Sequence, residues 1–317
     1  MTMSMFTCKP THPFLQIRAG NSRLSSRLRP SKDKVVVVMG ATGTGKSKLS
    51  VDLATQFNGE VVNADKMQVY EGLDVITNKI TAEESCGVPH HLLGIRHPSA
   101  DFTCTDFSNM ASSAVASIVD RKKLPIIAGG SNSYIEFLID NEAAGFRSKY
   151  DCCYLWVDVS MTVLHQIISD RADRMVEKGM VDEARQMFSP NADYSTGIRR
   201  AIGVPEFDYY FRLEPHVNEE TRAKLLQEAI YEVKNNSCKL ACRQQDKILR
   251  LMHDKGWDIQ RLDATDAFLK YGKESNKAWK ELVLKPSKAI VSQFLKSSGP
   301  KLHNNGTTLK AMVTSTR

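Results

Sequence analysis

Apolar positions along the chain follow two rhythms that alternate. VVVVM (35–39) is an unbroken apolar run between Lys34 and Gly40. A run this short and this rich in β-branched residues predicts a strand buried on both faces. SKLSVDLATQF (47–57) then places Leu49, Leu53, Ala54 and Phe57 at helical spacing. The alternation continues. EVVNAD (60–65), PIIAGG (125–130) and CYLWVDV (153–159) predict strands. DFSNMASSAVASIVDRK (106–122) and MTVLHQIISDRADRMVEKG (161–179) predict helices, the second stopped by Gly179. Strands alternating with helices predict an α/β fold with a mainly parallel sheet and helices on both faces.

Past residue 180 the pattern turns helical, in VDEARQMF, TRAKLLQEAIYEVKNNS and CKLACRQQDKILRLMHDKG, with the turn-rich SPNADYSTG (189–197) between the first two. WDIQRLDA (257–264) predicts a strand that returns to the sheet. The expected organisation is a basic N-terminal segment (1–33), an α/β core (34–180 and 236–285), a small helical satellite domain (181–235) and a mobile basic tail (286–317). The tail holds one amphipathic patch, AIVSQFL. No internal repeat is present.

Composition sharpens this outline. The chain has 317 residues, 42% of them apolar, enough for a sizeable core. No apolar run approaches the roughly 18 residues of a membrane span, so no membrane partner is expected. The net charge of +7 sits at the ends, because residues 1–32 and 285–317 each carry six Lys or Arg and no acid. Without those twelve charges the body, 33–284, is left at about −5. Such a body does not fit the broad basic footprint of a protein that wraps nucleic acid, and no stable nucleic-acid partner is expected. The first 31 residues combine five serines with arginines and lack acids, which is the composition of an organellar transit peptide. Plastid location is the expectation; an ordinary tail on a cytoplasmic protein is the alternative. Seven cysteines at irregular spacing, with no CxxC, predict neither a disulfide framework nor a zinc site.

The candidate chemistry begins at GATGTGKS (40–47), which matches G-x-x-x-x-G-K-[ST] between a predicted strand and a predicted helix. Gly40, Ala41, Thr42, Gly43, Thr44 and Gly45 form a loop whose N–H groups, with the helix N-terminus, attract a phosphate chain. Lys46 adds a point charge, Ser47 is placed to ligate Mg²⁺, and Thr42 and Thr44 offer hydroxyls. The motif predicts a polyphosphate and leaves open which molecule carries it. NKIT (78–81) lacks the Asp of a guanine-reading element, and PIIAGG ends in glycines where many kinases and ATPases carry a metal-holding Asp. Asp158, in YLWVDV, is the substitute for that role. Asp65 closes the second strand and so faces the crevice at the carboxyl edge of the sheet. There it either caps a turn or accepts a proton from a nucleophile.

The string DKMQVYEGLD (65–74), followed by TNK (77–79), resembles the acceptor-binding strip of the isopentenyltransferases. The family pattern of Asp, then Gln three residues on, then Thr and Lys at twelve and fourteen, falls on Asp65, Gln68, Thr77 and Lys79. GVPHHLL (87–93), AGGSNSYIE (128–136), WVDVS (156–160), RADRMVEKGMVDE (171–183), GIRRAIGVPEF (197–207) and CKLACRQ (238–244) extend the resemblance across roughly residues 34–265, with Ala172 where the family usually has Val. It is closest to the plant adenylate isopentenyltransferases of cytokinin synthesis.

The resemblance implies a P-loop NTPase-like fold and an enzyme that moves a dimethylallyl group from dimethylallyl diphosphate to N6 of adenine in ATP, ADP or AMP. The loop would then hold the prenyl donor's diphosphate, with the nucleotide elsewhere in the crevice. Asp65 would take the N6 proton. Lys46, Thr42 and Arg171, with Mg²⁺ on Ser47, would stabilise the departing pyrophosphate. Gln68, Thr77, Lys79, Gly130, Ser131, Asn132 and Asp158 would contact the acceptor, and Arg199 and Arg200 its phosphates. His90 and His91, after Pro89, are expected in a structural turn, and Met175 and Met180 in the core.

Three alternatives remain at this level. A tRNA isopentenyltransferase would carry a long helical insertion between the GG-x-x-x-Y strip and the next strand, yet Tyr154 follows Tyr134 by only twenty positions. No Cys/His cluster of a C-terminal zinc finger follows Cys242. A P-loop small-molecule kinase would place ATP in the loop. A non-catalytic binding module would tolerate loss of Asp65. The oligomeric state stays open.

Overall fold

The computed structural model describes residues 32–297. The transit-peptide reading of the N-terminal segment and the tail beyond residue 297 lie outside the described residues.

The sheet has six strands: β1 (Asp33–Met39), β2 (Gly59–Asn63), β3 (His90–His91), β4 (Leu124–Ala128), β5 (Tyr150–Asp158) and β6 (Ile259–Asp263). Their order is β3-β2-β4-β1-β5-β6, and every pairing is parallel. β1 lies between β4 and β5, with Val36 opposite Ile126 on one side and Cys153 on the other. Val35, Val37 and Met39 belong to one buried cluster, while Val36 and Val38 belong to another. Two apolar layers on one strand are why its sequence is an unbroken run rather than an alternation.

Helices supply the layers. They are α1 (Lys46–Phe57), α2 (Cys104–Asp120), α3 (Asn132–Asp140), α4 (Phe146–Lys149), α5 (Met161–Glu177), α6 (Met180–Met187), α7 (Asp208–Leu213) and α8 (Glu219–His253). After β6 come α9 (Thr265–Leu269), α10 (Gly272–Trp279) and α11 (Lys285–Lys296). Thr103 starts α2 through a capping box. Its hydroxyl accepts the Asp106 N–H, and the Asp106 carboxylate accepts the Thr103 N–H. Among the described residues, no helix is long and apolar enough to cross a membrane.

Three expectations change. The two helical strings on either side of residue 237 form one 35-residue helix, α8, because no Gly or Pro interrupts it. The satellite boundary at 235 therefore falls inside a helix. Ile198, Phe207 and Leu225 also join the same buried cluster as Val35 and Val37, so residues 181–235 have no separate core. The tail boundary at 286 moves as well. Lys285–Lys296 is a helix with Ser287 and Val291 fully buried, and its apolar stripe packs on the second cluster.

The third change concerns His90 and His91, expected in a turn. They form the parallel edge strand β3 against Val61 and Val62. His91 Nε2 lies 2.7 Å from the Glu60 carboxylate, which also meets Arg121 at 2.6 Å and Lys123 at 2.9 Å. The Glu60 side chain is only 4% exposed. Burial opposes its charge, but Lys123, His91 and Arg121 outweigh burial and hold the carboxyl at about 2. A carboxyl depressed below its unfolded value contributes stability that is complete above about 4.5 and is lost as pH falls toward 2. Glu60→Gln is expected to destabilise by about 3 kcal/mol at neutral pH, since it leaves the Arg121 and Lys123 charges around a neutral group. Urea titration checks this, and the difference from wild type should shrink below pH 4.5.

Candidate active site

Residues 40–45 join β1 to α1, so the loop opens at the carboxyl edge of the sheet's centre. Gly43 and Gly45 both hold φ near +88°, a left-handed backbone that favours glycine. A Cβ on Gly45 would also lie 2.7 Å from the Trp279 ring. Within the loop Lys46 Nζ donates to the Ala41 carbonyl at 2.7 Å, and the buried Thr44 hydroxyl donates to the same oxygen at 2.9 Å. Arg171, from the middle of α5, donates to the Thr42 hydroxyl at 2.9 Å.

Asp65 follows β2 and stands beside this group. Its Oδ1 accepts the Met67 N–H at 2.9 Å, so it does cap its turn. The same carboxylate acts electrostatically on both Lys46 and Arg171. Burial lowers the Lys46 ammonium to about 8; the Asp65 charge resists that shift and the Arg171 charge adds to it. Burial also lowers Arg171, again against the pull of Asp65. An acid and two desolvated cations thus share one crevice.

The turn after β4 forms the opposite wall. A Cβ on Gly129 would sit 2.2 Å from the Ala64 carbonyl, so only glycine lets the ends of β2 and β4 approach this closely. That approach brings the Ser131 hydroxyl to the Lys66 N–H, which it accepts at 2.9 Å. Asn132 is buried. Its Nδ2 donates to the Gln244 carbonyl at 3.0 Å, and its Oδ1 has no partner among the described residues.

Other residues expected at the site take structural partners. Gln68 Nε2 donates to the carbonyls of Thr77 and Asn78, the Thr77 hydroxyl to Leu73, and Lys79 Nζ to Gly72 and Asp74. These three side chains fold the strip 68–79 on itself. Asp158 is buried, and both its oxygens are engaged, by Gln245 at 3.2 Å and Arg261 at 2.7 Å. This places it in an ion pair with Arg261. Arg200 reaches the Tyr70 hydroxyl on the strip at 3.3 Å, whereas Arg199 turns to the Met187 carbonyl at 3.2 Å. Ser47 is exposed in the first turn of α1.

Two residues went unrecognised in the sequence. The Glu183 carboxylate accepts the N–H groups of Val75 and Ile76, at 2.9 to 3.1 Å, and so holds the strip to α6. Gln244, on α8, accepts the Thr42 N–H through Oε1 at 2.8 Å and donates from Nε2 to the Gly130 carbonyl at 2.9 Å. Both close motif strings already singled out, RADRMVEKGMVDE and CKLACRQ. Position in those strings was the available signal.

A parallel sheet with a glycine phosphate loop on its central strand, and an acid facing a half-buried lysine and arginine across that loop, defines a P-loop transferase. The chain belongs to the IPP transferase family, whose model matches residues 68–147 and 140–248. It is 53% identical to adenylate isopentenyltransferase 3, chloroplastic, of Arabidopsis thaliana, over 93% of this chain and 90% of that one. It is 47% identical to adenylate isopentenyltransferase 7, mitochondrial, of the same plant, over 98% and 93%. Among solved structures, a eukaryotic dimethylallyltransferase acting on tRNA superposes with a TM-score of 0.70 at 25% identity, covering 86% of this chain and 81% of that one. The tRNA isopentenylpyrophosphate transferase of Bacillus halodurans superposes with a TM-score of 0.63 at 28% identity, covering 84% and 99%. The likeness supports the P-loop fold expected from the sequence.

Proposed function

We propose that this protein transfers the dimethylallyl group of dimethylallyl diphosphate to N6 of the adenine of ATP, ADP or AMP, with release of pyrophosphate, as an adenylate isopentenyltransferase of cytokinin synthesis. The observation that carries the reading is Asp65 within the electrostatic reach of Lys46 and Arg171 at the mouth of the phosphate loop.

The adenine N6 lone pair is delocalised into the ring, so the amine is a weak nucleophile. Asp65 accepts a hydrogen bond from N6 and takes its proton as the bond from N6 to the donor's C1 forms. The bond from C1 to the diphosphate oxygen breaks, and its electron pair leaves with pyrophosphate. Negative charge grows on that group, where the loop N–H groups, Lys46 and Arg171 are already aimed. Thr42 accepts from Arg171, which leaves its own proton to donate to the diphosphate.

The residues fit a magnesium ion held mainly by substrate. Ser47 is exposed at the start of α1, and the described residues contain no cluster of three acidic, histidine or cysteine ligands. Ser47 would hold Mg²⁺ together with diphosphate oxygens and water, and the ion would supply charge neutralisation for the leaving group. A plastid location is supported by the chloroplastic names of several relatives, with one mitochondrial.

A small acceptor is favoured over tRNA by the span between β4 and β5. It holds only α3 and the one-turn α4, with no room for an inserted helical arm. The test is an endpoint assay with Mg²⁺, dimethylallyl diphosphate and, separately, AMP, ADP, ATP or an unmodified tRNA anticodon stem-loop, read by mass. One C5H8 unit gained by a free nucleotide is the expected result. Modification of the RNA alone would move the protein to the tRNA enzymes, and no prenylated product would return the kinase reading.

A further inference from the structure

The side-chain amide of Gln244 stands between the two halves of the crevice. Its Oε1 takes the Thr42 N–H of the donor loop at 2.8 Å, and its Nε2 gives to the Gly130 carbonyl of the acceptor turn at 2.9 Å. Its main-chain carbonyl holds Asn132, the first residue of α3, at 3.0 Å. Thr42 is thus fixed twice, at its N–H by Gln244 and at its hydroxyl by Arg171. Close packing keeps the bridge in place: a Cβ on Gly130 would meet Gln244 Nε2 at 2.4 Å. Glutamine suits this position because one amide both accepts and donates, whereas ionised Glu accepts only and Met donates nothing and accepts weakly. Gln244 has neither a charge nor a proton to give to the reaction.

We infer that Gln244 is a positioning residue that locks the donor loop and the acceptor turn into one body and so sets the distance between the donor's C1 and adenine N6. The inference rests on the two-substrate reading above. Each loop can bind its own ligand without the bridge, but only the bridge keeps the bound pair in register. Reaction rate, more than the affinity for either ligand, should therefore depend on Gln244.

Gln244→Met keeps the length of the side chain and removes both hydrogen bonds. Its kcat is expected to fall about 100-fold, the scale of loss from a misplacement of about 1 Å, with each KM moving less than about threefold. Gln244→Glu keeps the acceptor for Thr42 and sets a carboxylate against the Gly130 carbonyl, so it should lose rate as Met does. Gly130→Ala pushes on the bridge from its other end and should also slow the reaction. In a Gln244→Ala background the added methyl enters vacated space, so the double variant should be no slower than Gln244→Ala alone.

Binding reads the same coupling without turnover. The wild type should bind ADP with a different affinity when inorganic pyrophosphate saturates the loop, and that difference should vanish in Gln244→Met. A Gln244→Met protein with unchanged kcat and only a lower Tm would overturn the inference, as would additive effects of the Gly130 and Gln244 substitutions or wild-type binding with no such coupling. A wild type that prenylates no adenine nucleotide but keeps the coupling would overturn the functional reading and leave the bridge standing.

Discussion

Asp65→Asn is expected to lower kcat by about 10³-fold, within the range general-base catalysis typically contributes. The substitution is chosen for what it leaves in place. Asn keeps an oxygen that can accept the Met67 N–H, the bond by which Asp65 caps its turn. The turn should survive and Tm should stay close to wild type. What disappears is the group that can take a proton from N6 and the negative charge that faces Lys46 and Arg171. Donor binding should not weaken, because removing an acid from beside two cations leaves the loop more positive. The expected pattern is a collapse of kcat with an unchanged or lower donor KM. That pattern separates a base from a turn cap, the two roles left open by the sequence. A variant with kcat within threefold of wild type and a lowered Tm would make Asp65 a cap only.

The strongly patterned parts of this fold were legible because their causes are local. β1 reads as a doubly buried strand from four consecutive valines, and α2 reads as a helix, though it begins at Cys104, two residues before the expected start. The phosphate loop is legible for the same reason, since its shape depends on glycines within eight residues. What escaped depends on partners far along the chain. Two residues are too few to show a strand's periodicity, and β3 exists because β2 offers it an edge and Glu60 holds His91. Asp158 ends β5, and its partner Arg261 comes from β6, 103 positions on. Gln244 lies 202 positions from Thr42, and nothing in its neighbours announces that meeting. The candidate site divides along the same line. The loop residues and Asp65 converge as expected. Gln68, Thr77 and Lys79 share the strip but turn their polar ends to its own backbone.

Lys46→Ala should lower kcat/KM for the donor by about 10²- to 10³-fold, the usual cost of removing one preorganised donor from a developing negative charge. Its pH dependence is the sharper test. Burial holds the ammonium at about 8 in the free protein, despite the nearby Asp65 charge. Below that pH the lysine is charged and ready for a diphosphate. As pH rises through 8 the free protein loses the proton, and the ammonium no longer attracts the donor. Bound diphosphate is itself strongly negative and must raise the lysine again. Two consequences distinguish this from a general alkaline loss of activity. The donor kcat/KM should fall above pH 8, while kcat, which reports the bound state, holds to higher pH. Donor binding at pH 8 should also take up about half a proton, seen as a dependence of the calorimetric heat on the buffer's ionisation enthalpy. In Lys46→Ala both the alkaline limb of kcat/KM and the proton uptake should vanish together. Survival of either would assign the titration to another group and return Lys46 to the role of a charge fixed at all working pH.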